Sequence, residues 1–122
     1  MYNYKIRPVK IIDGDTIDAE IDLGFDIKTK KRIRFVGINT PESRTRDLEE
    51  KARGLAAKDR VKQLLEGCEN VTLQSHGIGK FGRCLGEIML DRVDGKDCLT
   101  LKSLNELLIT EGHAVEYHGG KR

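Results

Sequence analysis

Apolar and polar residues alternate without interruption over residues 16–23, and this alternation is the clearest structural signal in the chain. Ile17, Ala19, Ile21 and Leu23 fall on one face, and the residues between them are polar. A period of two residues predicts a β-strand with one buried face.

Two further strands are predicted beside this one. Residues 5–12 are mixed and β-branched, and Pro8 within them predicts an edge strand or a bulge because proline cannot donate to a ladder. Residues 31–38 form the third predicted strand. Pro41 disfavours helical backbone at the residue before it, so this strand is predicted to end in a fixed loop.

Residues 47–66 have the features of a helix. Asp47 followed by Glu50 resembles a capping box, and Gly67 is a natural stop. Gly54 inside the helix costs about 1 kcal/mol relative to alanine, so we expect something to pack closely there. The predicted buried stripe consists of Leu48, Ala52, Leu55, Ala56, Val61, Leu64 and Leu65.

The second half of the chain also contains strand, turn and helix signals, each over a shorter segment. Residues 71–74 and 84–90 predict two strands, and Asp94-Gly95 predicts a turn after them. A second capping box beginning at Ser103 predicts a short helix that ends at about residue 111.

The predicted order of elements is therefore β-β-β-α-β-β-α. Five short strands with a helix after the third predict an α+β, mainly β fold, a five-stranded OB-like Greek-key barrel with two packed helices. A length of 122 residues predicts a single domain over 1–122. The tail at 118–122 is expected to be disordered.

The net charge of the chain indicates no particular partner, but the distribution of charged residues along it is informative. The chain carries 22 Lys and Arg against 20 Asp and Glu, a net charge of +2. Six acids lie within residues 13–26, and five bases follow within residues 28–34. This segregation suits a metal site beside a phosphate site. It is equally typical of a solvated hairpin with weak cross-strand ion pairs.

Cysteine usage and the first residues indicate a compartment. Cys68, Cys84 and Cys98 are widely spaced and form no C-x-x-C pair, so a zinc site is not expected. We expect all three to be small buried side chains. The first residues lack the apolar segment of a signal peptide. We therefore expect a cytoplasmic protein without a membrane span, exported only if a leader has been removed.

The candidate chemistry is carried by three short segments: Asp13-Gly14-Asp15-Thr16, Arg34 with Asn39-Thr40-Pro41-Glu42, and Lys80-Phe81-Gly82-Arg83. Asp15 in a tight turn suits a hard cation, with Asn39 and the Thr40 carbonyl as further oxygen donors. Asp13 is expected to stabilise the turn or to support Asp15. Glu42 can orient a water or accept its proton.

Two arginines complete this set. Arg34 and Arg83 each present a planar fork that meets two phosphate oxygens. Each of the named residues alone is more often an ordinary turn or surface residue. Their combination provides the groups that hydrolysis of a phosphodiester requires.

These segments, together with Leu104-Asn105-Glu106-Leu107-Leu108 and Glu111-Gly112-His113-Ala114, resemble the staphylococcal nuclease (thermonuclease) family in order and approximate spacing. The resemblance covers the chain from Ile11 to about Tyr117. It implies Ca²⁺-dependent cleavage of DNA and RNA by a five-stranded OB-like barrel.

The resemblance also implies roles for individual residues. Asp15 matches the main carboxylate ligand of the calcium, and the Thr40 carbonyl matches its main-chain ligand. Glu42 matches the glutamate that positions or activates the attacking water. Arg34 and Arg83 match the arginines that bind the scissile phosphate, and Tyr117 matches a tyrosine near the nucleotide.

The chain departs from the family pattern at two places. Asn39 replaces the usual aspartate before Thr-Pro-Glu, which predicts weaker calcium binding and leaves Mg²⁺ or another divalent cation as an alternative. The sequence also ends soon after Gly112, where family members often continue into a further helix. The oligomeric state therefore stays open, and a dimer is one expectation.

The sequence thus predicts a metal-dependent nuclease that acts on DNA or RNA with little sequence preference. The alternative is a weakly active or inactive domain of the same fold that binds nucleic acid or protein. Asn39 favours the alternative, whereas an aromatic content of only 5% makes a base-stacking surface thin.

Overall fold

The computed structural model describes residues 2–78 and 83–117. Its elements in chain order are β1 (Tyr2–Asp13), β2 (Thr16–Asp22), β3 (Lys28–Phe35), β4 (Ile38–Asn39), α1 (Leu48–Glu66), β5 (Val71–Ile78), β6 (Cys84–Val93), β7 (Lys96–Ser103), α2 (Leu104–Thr110) and β8 (Val115–Glu116). The expected disorder at 118–122 and the segment Lys80-Phe81-Gly82 lie outside the described residues.

Five strands form a closed barrel in the order β3-β2-β1-β5-β6. Four of its pairings are antiparallel, and the parallel pairing of β3 with β6 closes the cylinder. Closure removes the open sheet edges of these five strands. The predicted five-stranded OB-like barrel with two helices is therefore confirmed.

The barrel core follows the alternation seen in β2. Ile17, Ala19 and Ile21 point inward and are buried, whereas Leu23 lies beyond the strand and is half exposed. Pro8 sits at a register shift between β1 and β2. The pairing of β1 with β5 spans Tyr2–Ile6 and stops before Pro8, so Pro8 lies at a bulge where one side of the strand has no ladder partner among the described residues.

Helix α1 begins after Asp47, whose carboxylate accepts hydrogen bonds from two backbone N–H groups, and ends at Gly67 as predicted. The predicted stripe is wrong in its first half, because Leu48, Ala52, Leu55 and Ala56 are exposed. The buried face consists of Gly54, Ala57, Val61, Leu64 and Leu65. The first turns of the helix pack small residues against neighbouring backbone, which leaves no room for larger side chains there.

Three strands were not predicted from the sequence. β7 pairs with β6 beyond the barrel, and its leucines Leu99 and Leu101 are exposed, so no buried face produces an alternating pattern. β4 and β8 have two residues each and pair with one another. Their pairing is set by tertiary contact between distant segments, which local pattern does not encode.

Two further observations concern membrane-spanning helices and the three cysteines of the described residues. None of their helices is both long enough and apolar enough to cross a membrane. Cys68, Cys84 and Cys98 are free thiols of intermediate burial, and burial is the main cause that raises the pKa of the Cys68 thiol.

An ionic cluster fixes α1 against the far end of the barrel. Arg60 forms paired hydrogen bonds with Asp94 in the β6–β7 turn and with Glu111 at the end of α2. The Arg60 side chain is only 17% exposed. Its hydrogen bonds lower the pKa of both carboxyl groups below their ordinary values.

We predict that this cluster makes stability depend on pH. Carboxyl groups with lowered pKa stabilise the fold above their unfolded-state pKa values, and this stabilisation is lost as pH falls through the folded-state values. Arg60→Gln should therefore lower the Tm at neutral pH. The difference from wild type should shrink as pH falls below the ordinary carboxyl values of 3.8 and 4.5.

Thermal unfolding followed by circular dichroism from pH 7 to about pH 3 tests this prediction. Lys51→Gln removes the same charge from an exposed position of α1 and serves as the control. A Tm difference for Arg60→Gln that stays constant across this range would contradict the assigned role of the cluster.

Candidate functional site

The candidate residues of the sequence other than Tyr117 converge on one small polar cleft of about 160 Å³. It lies where the β1–β2 turn, the end of β3 and the segment after β4 meet. Its lining consists of Asp13, Asp15, Thr16, Arg34, Asn39, Thr40, Pro41, Glu42 and Arg83. Residues that are far apart in the chain are thus brought together by the barrel topology.

Asp15 lies at the centre of this arrangement and is only 8% exposed. Its Oδ1 accepts a hydrogen bond from the Thr16 hydroxyl at 3.0 Å, and its Oδ2 accepts one from the Thr40 N–H at 3.2 Å. Its backbone carbonyl accepts from the Phe35 N–H at 2.8 Å. Thr16 and Thr40 therefore hold the carboxylate, and Phe35 holds the backbone of the same residue.

Asp13 supports the same turn from the other side. Its Oδ1 accepts hydrogen bonds from both the Ser43 hydroxyl and the Ser43 N–H. These bonds tie the turn to the loop that carries Glu42. Sequence reasoning missed Ser43, although a serine beside a proline-fixed loop is a common local hydrogen-bonding residue.

Arg34 connects the two halves of the cleft. Its Nη1 donates to the Phe35 carbonyl at 3.0 Å and lies 3.4 Å from Asp15 Oδ2, while its Nη2 donates to Asn39 Oδ1 at 2.5 Å. The side chain is 15% exposed. A guanidinium held by this many acceptors has its plane fixed before any ligand arrives.

Helix α1 forms the floor beneath both loops through its small residues. A Cβ built on Gly54 would lie 2.5 Å from the Glu42 carbonyl oxygen, and one built on Gly14 would lie 2.7 Å from Ala57 Cβ. Both distances are shorter than real Cβ contacts allow. The predicted close contact at Gly54 is therefore confirmed, and it positions the backbone of Glu42.

The donor set of the cleft fits a hard cation. Asp15 offers a carboxylate, Asn39 an amide oxygen and Thr40 a backbone carbonyl, and all three residues are buried. Oxygen donors of this kind suit Ca²⁺ or Mg²⁺. The Thr40 hydroxyl is a buried oxygen without a hydrogen-bond partner among the described residues.

This set differs from a carboxylate-rich metal centre. Across residues 2–78 and 83–117, no three His, Cys, Asp or Glu side chains lie close enough to hold a metal by themselves. Asp15 and Asn39 also both contact Arg34. A cation here would rely on neutral oxygens for part of its coordination.

Tyr117 does not line the first cleft. It lines an adjoining one of about 550 Å³ together with His113, and its N–H donates to the Gly37 carbonyl at 2.8 Å. The two clefts share Asn39, Thr40 and Pro41. Sequence reasoning did not anticipate the contribution of His113 to this second cleft.

Comparison with known proteins gives two matches. The family model of staphylococcal nuclease homologues matches residues 32–122. Protein ParB of Escherichia coli is 29% identical over 116 residues, an alignment that covers 91% of this chain and 57% of that protein. The chain thus spans less than two thirds of this relative. Asp13 and Asp15 lie before the part of the chain that the family model matches. Their assignment to the site therefore rests on their hydrogen bonds with Ser43 and Thr40.

We predict that Gly54→Ala destabilises the fold. Helix propensity alone would raise stability by about 1 kcal/mol, but the methyl group would overlap the Glu42 carbonyl and force the loop away. Overpacking of this kind typically costs about 1–3 kcal/mol, so the sign of the change is informative. Urea unfolding measures it.

Gly67→Ala is the matched control for this substitution. Gly67 has helical backbone angles, and its Cβ would meet the Gln63 carbonyl at an ordinary 3.4 Å. We expect this variant to be neutral or slightly stabilised. If Gly54→Ala were stabilised to the same degree, the loop would not be held by contact with α1.

Proposed function

Because the chain belongs to the staphylococcal nuclease family, we propose that it is a metal-dependent phosphodiesterase that hydrolyses DNA or RNA with little sequence preference. The observation that supports this most directly is the shared cleft, which brings Asp15, Glu42, Arg34 and Arg83 together. These groups complement a phosphodiester and an attacking water better than any other class of substrate.

The two arginines are proposed to bind the scissile phosphate. Arg34 is oriented by its bonds to Phe35 and Asn39, whereas Arg83 approaches from the strand β6 side of the cleft. Guanidinium groups that are fixed in advance bind the equatorial oxygens more tightly as negative charge builds in the transition state. Tyr117 in the adjoining cleft is proposed to contact the neighbouring nucleotide.

Glu42 is proposed to orient the attacking water or to accept its proton. Its side chain is exposed at the mouth of the cleft, while its backbone is packed on Gly54. A carboxylate on a fixed backbone can reach water at a defined distance from the phosphate. The bond from phosphorus to the nucleic acid oxygen on the opposite side breaks, and that oxygen leaves.

Asp15, Asn39 and the Thr40 carbonyl are proposed to hold the cation, with Ca²⁺ favoured and Mg²⁺ as the alternative. When bound, such an ion supplies charge neutralisation to the phosphate. Asp15 has a further role that needs no cation, because it fixes Arg34 and the Thr40 backbone in place.

One observation favours a second candidate function, a weakly active or inactive binding domain. Asn39 provides one charge less than an aspartate would, and its oxygen is already used by Arg34. A domain with poor cation affinity could still bind nucleic acid through its arginines. Hydrolysis separates the two candidates.

We predict hydrolysis of fluorescently labelled single-stranded DNA in Ca²⁺ or Mg²⁺ and none in EDTA. Arg83→Ala and Glu42→Gln should each lower turnover by about 10²–10³ because each removes a group that acts on the transition state. Both positions are partly or fully exposed, so the fold should be retained.

Arg7→Ala and Glu49→Gln are the matched controls, since both residues are exposed and line no part of the cleft. They should retain wild-type turnover. Absence of hydrolysis by the wild type, with DNA binding intact, would support the binding domain instead. Near-normal turnover in both cleft variants would reject the assigned site.

We also predict that Asn39→Asp tightens Ca²⁺ binding on the order of tenfold, because the added carboxylate raises the charge of the donor set. Isothermal titration calorimetry measures the affinity without any substrate. Asn3→Asp adds the same charge at an exposed position of β1 and should leave the affinity unchanged. Equal affinities for all three proteins would place the cation elsewhere.

A further inference from the structure

A second feature of the surface is a basic groove beside the bulge of β1. Two connected depressions of about 470 and 420 Å³ meet at Val9 and Lys10. One is bounded by α1 and the other by β3. We call this the lysine groove and define it by Lys10, Lys30, Lys31, Lys58 and Lys62.

The charge of this groove exceeds that of the chain as a whole. Six cationic side chains and two carboxylates line it, whereas the whole chain has a net charge of only +2. One of the carboxylates, Asp18, is taken up by paired hydrogen bonds with Arg32. None of the five lysines has an ion pair within 4.0 Å among the described residues.

Strand register explains why the two lysines of β3 have no carboxylate of their own, whereas Lys10 stands opposite Asp18, whose carboxylate is bound by Arg32. Lys31 stands opposite Ala19, an inward-facing residue, so no acid is available across the strand. Lys30 stands opposite Glu20, but Glu20 lies within ion-pair distance of Arg7 and Lys28. The positive charge that β3 contributes to the groove therefore follows from the pairing of the strands.

The groove adjoins the candidate cleft along two elements. On α1, Lys58 follows Ala57, which packs against Gly14 in the turn that carries Asp15. On β3, Lys30 precedes Arg34 by four residues and lies on the same face, which corresponds to about 13 Å along a strand. A linear polymer that is bound in the cleft can therefore extend into the groove.

From these observations we propose that the lysine groove binds the sugar–phosphate backbone of a nucleic acid strand whose scissile phosphate occupies the cleft. The inference rests on the proposed function for its choice of partner. Half-exposed Val9 gives the groove an apolar floor, and none of the described aromatic side chains lines it. Binding should therefore be electrostatic and indifferent to base identity.

The test is equilibrium binding of labelled single-stranded oligonucleotides of 2 to 20 nucleotides in EDTA, across a range of salt concentrations. The test variant combines Lys10→Gln, Lys31→Gln and Lys62→Gln, one change on each element of the groove. Loss of three phosphate contacts should reduce the slope of log affinity against log salt by about 2 and weaken binding of the longest strand at least about tenfold.

Lys5→Gln, Lys96→Gln and Lys102→Gln together form the matched control, since these exposed lysines lie outside the groove. This control should keep the wild-type affinity and salt slope. In the wild type, affinity should rise with oligonucleotide length, and most of this rise should disappear in the groove variant. Thermal melts verify that both variants are folded.

The inference is overturned if the groove variant binds long strands as the wild type does, or if the wild type binds no oligonucleotide. Lysine-dependent binding to anionic lipid vesicles in place of oligonucleotides would also overturn it. Groove-dependent binding without hydrolysis in any metal would reject the proposed enzyme and support the groove. Hydrolysis together with binding that does not depend on the groove lysines would support the proposed enzyme and reject the groove.

Discussion

The packing of α1 against two loop backbones is the constraint on which the candidate cleft depends. Gly54 admits the Glu42 carbonyl and Ala57 admits Gly14, so the turn that carries Asp15 and the loop that carries Glu42 rest on one rigid surface. Hydrogen bonds from Thr40 and Ser43 then join the two loops to each other. Small residues on a helix thus replace the larger core residues that its early turns would otherwise carry.

Within this frame, the charges of the cleft largely satisfy one another. Arg34 contacts Asp15 and Asn39, and both are themselves candidate cation donors. A buried guanidinium without such partners would be costly, and so would a buried carboxylate. The same contacts that make the site stable in the absence of ligand also fix the direction of each group. A phosphate would therefore meet an Arg34 guanidinium that is already oriented, whereas a cation would have to share Asp15 and Asn39 with that guanidinium.

The sequence predicted the barrel because residues 16–23 alternate, five short strand segments follow in a recognisable order, and the helix after the third is capped at both ends. It predicted the residues of the cleft because they cluster in short motifs. It failed where position is decided by tertiary contact. The buried face of α1 passes through Gly54 and Ala57, which carry almost no apolar signal, and Leu48 and Leu55 are exposed despite theirs. Ser43 and His113 likewise became visible only once distant segments were placed together.

Strand register also decides which of the two interpretations of the charged hairpin applies at each position. Arg32 faces Asp18 and pairs with it, and Lys28 reaches Glu20, so the interpretation as cross-strand ion pairs is correct for these residues. Lys31 faces Ala19, because the alternation that buries Ile17 and Ile33 turns every second residue of both strands to the same side. Lys31 therefore has no carboxylate across the ladder, whereas Lys30, on the other face, stands opposite a Glu20 that lies within ion-pair distance of Arg7 and Lys28. The hydrophobic pattern that specifies the barrel consequently also determines where its positive charge remains available.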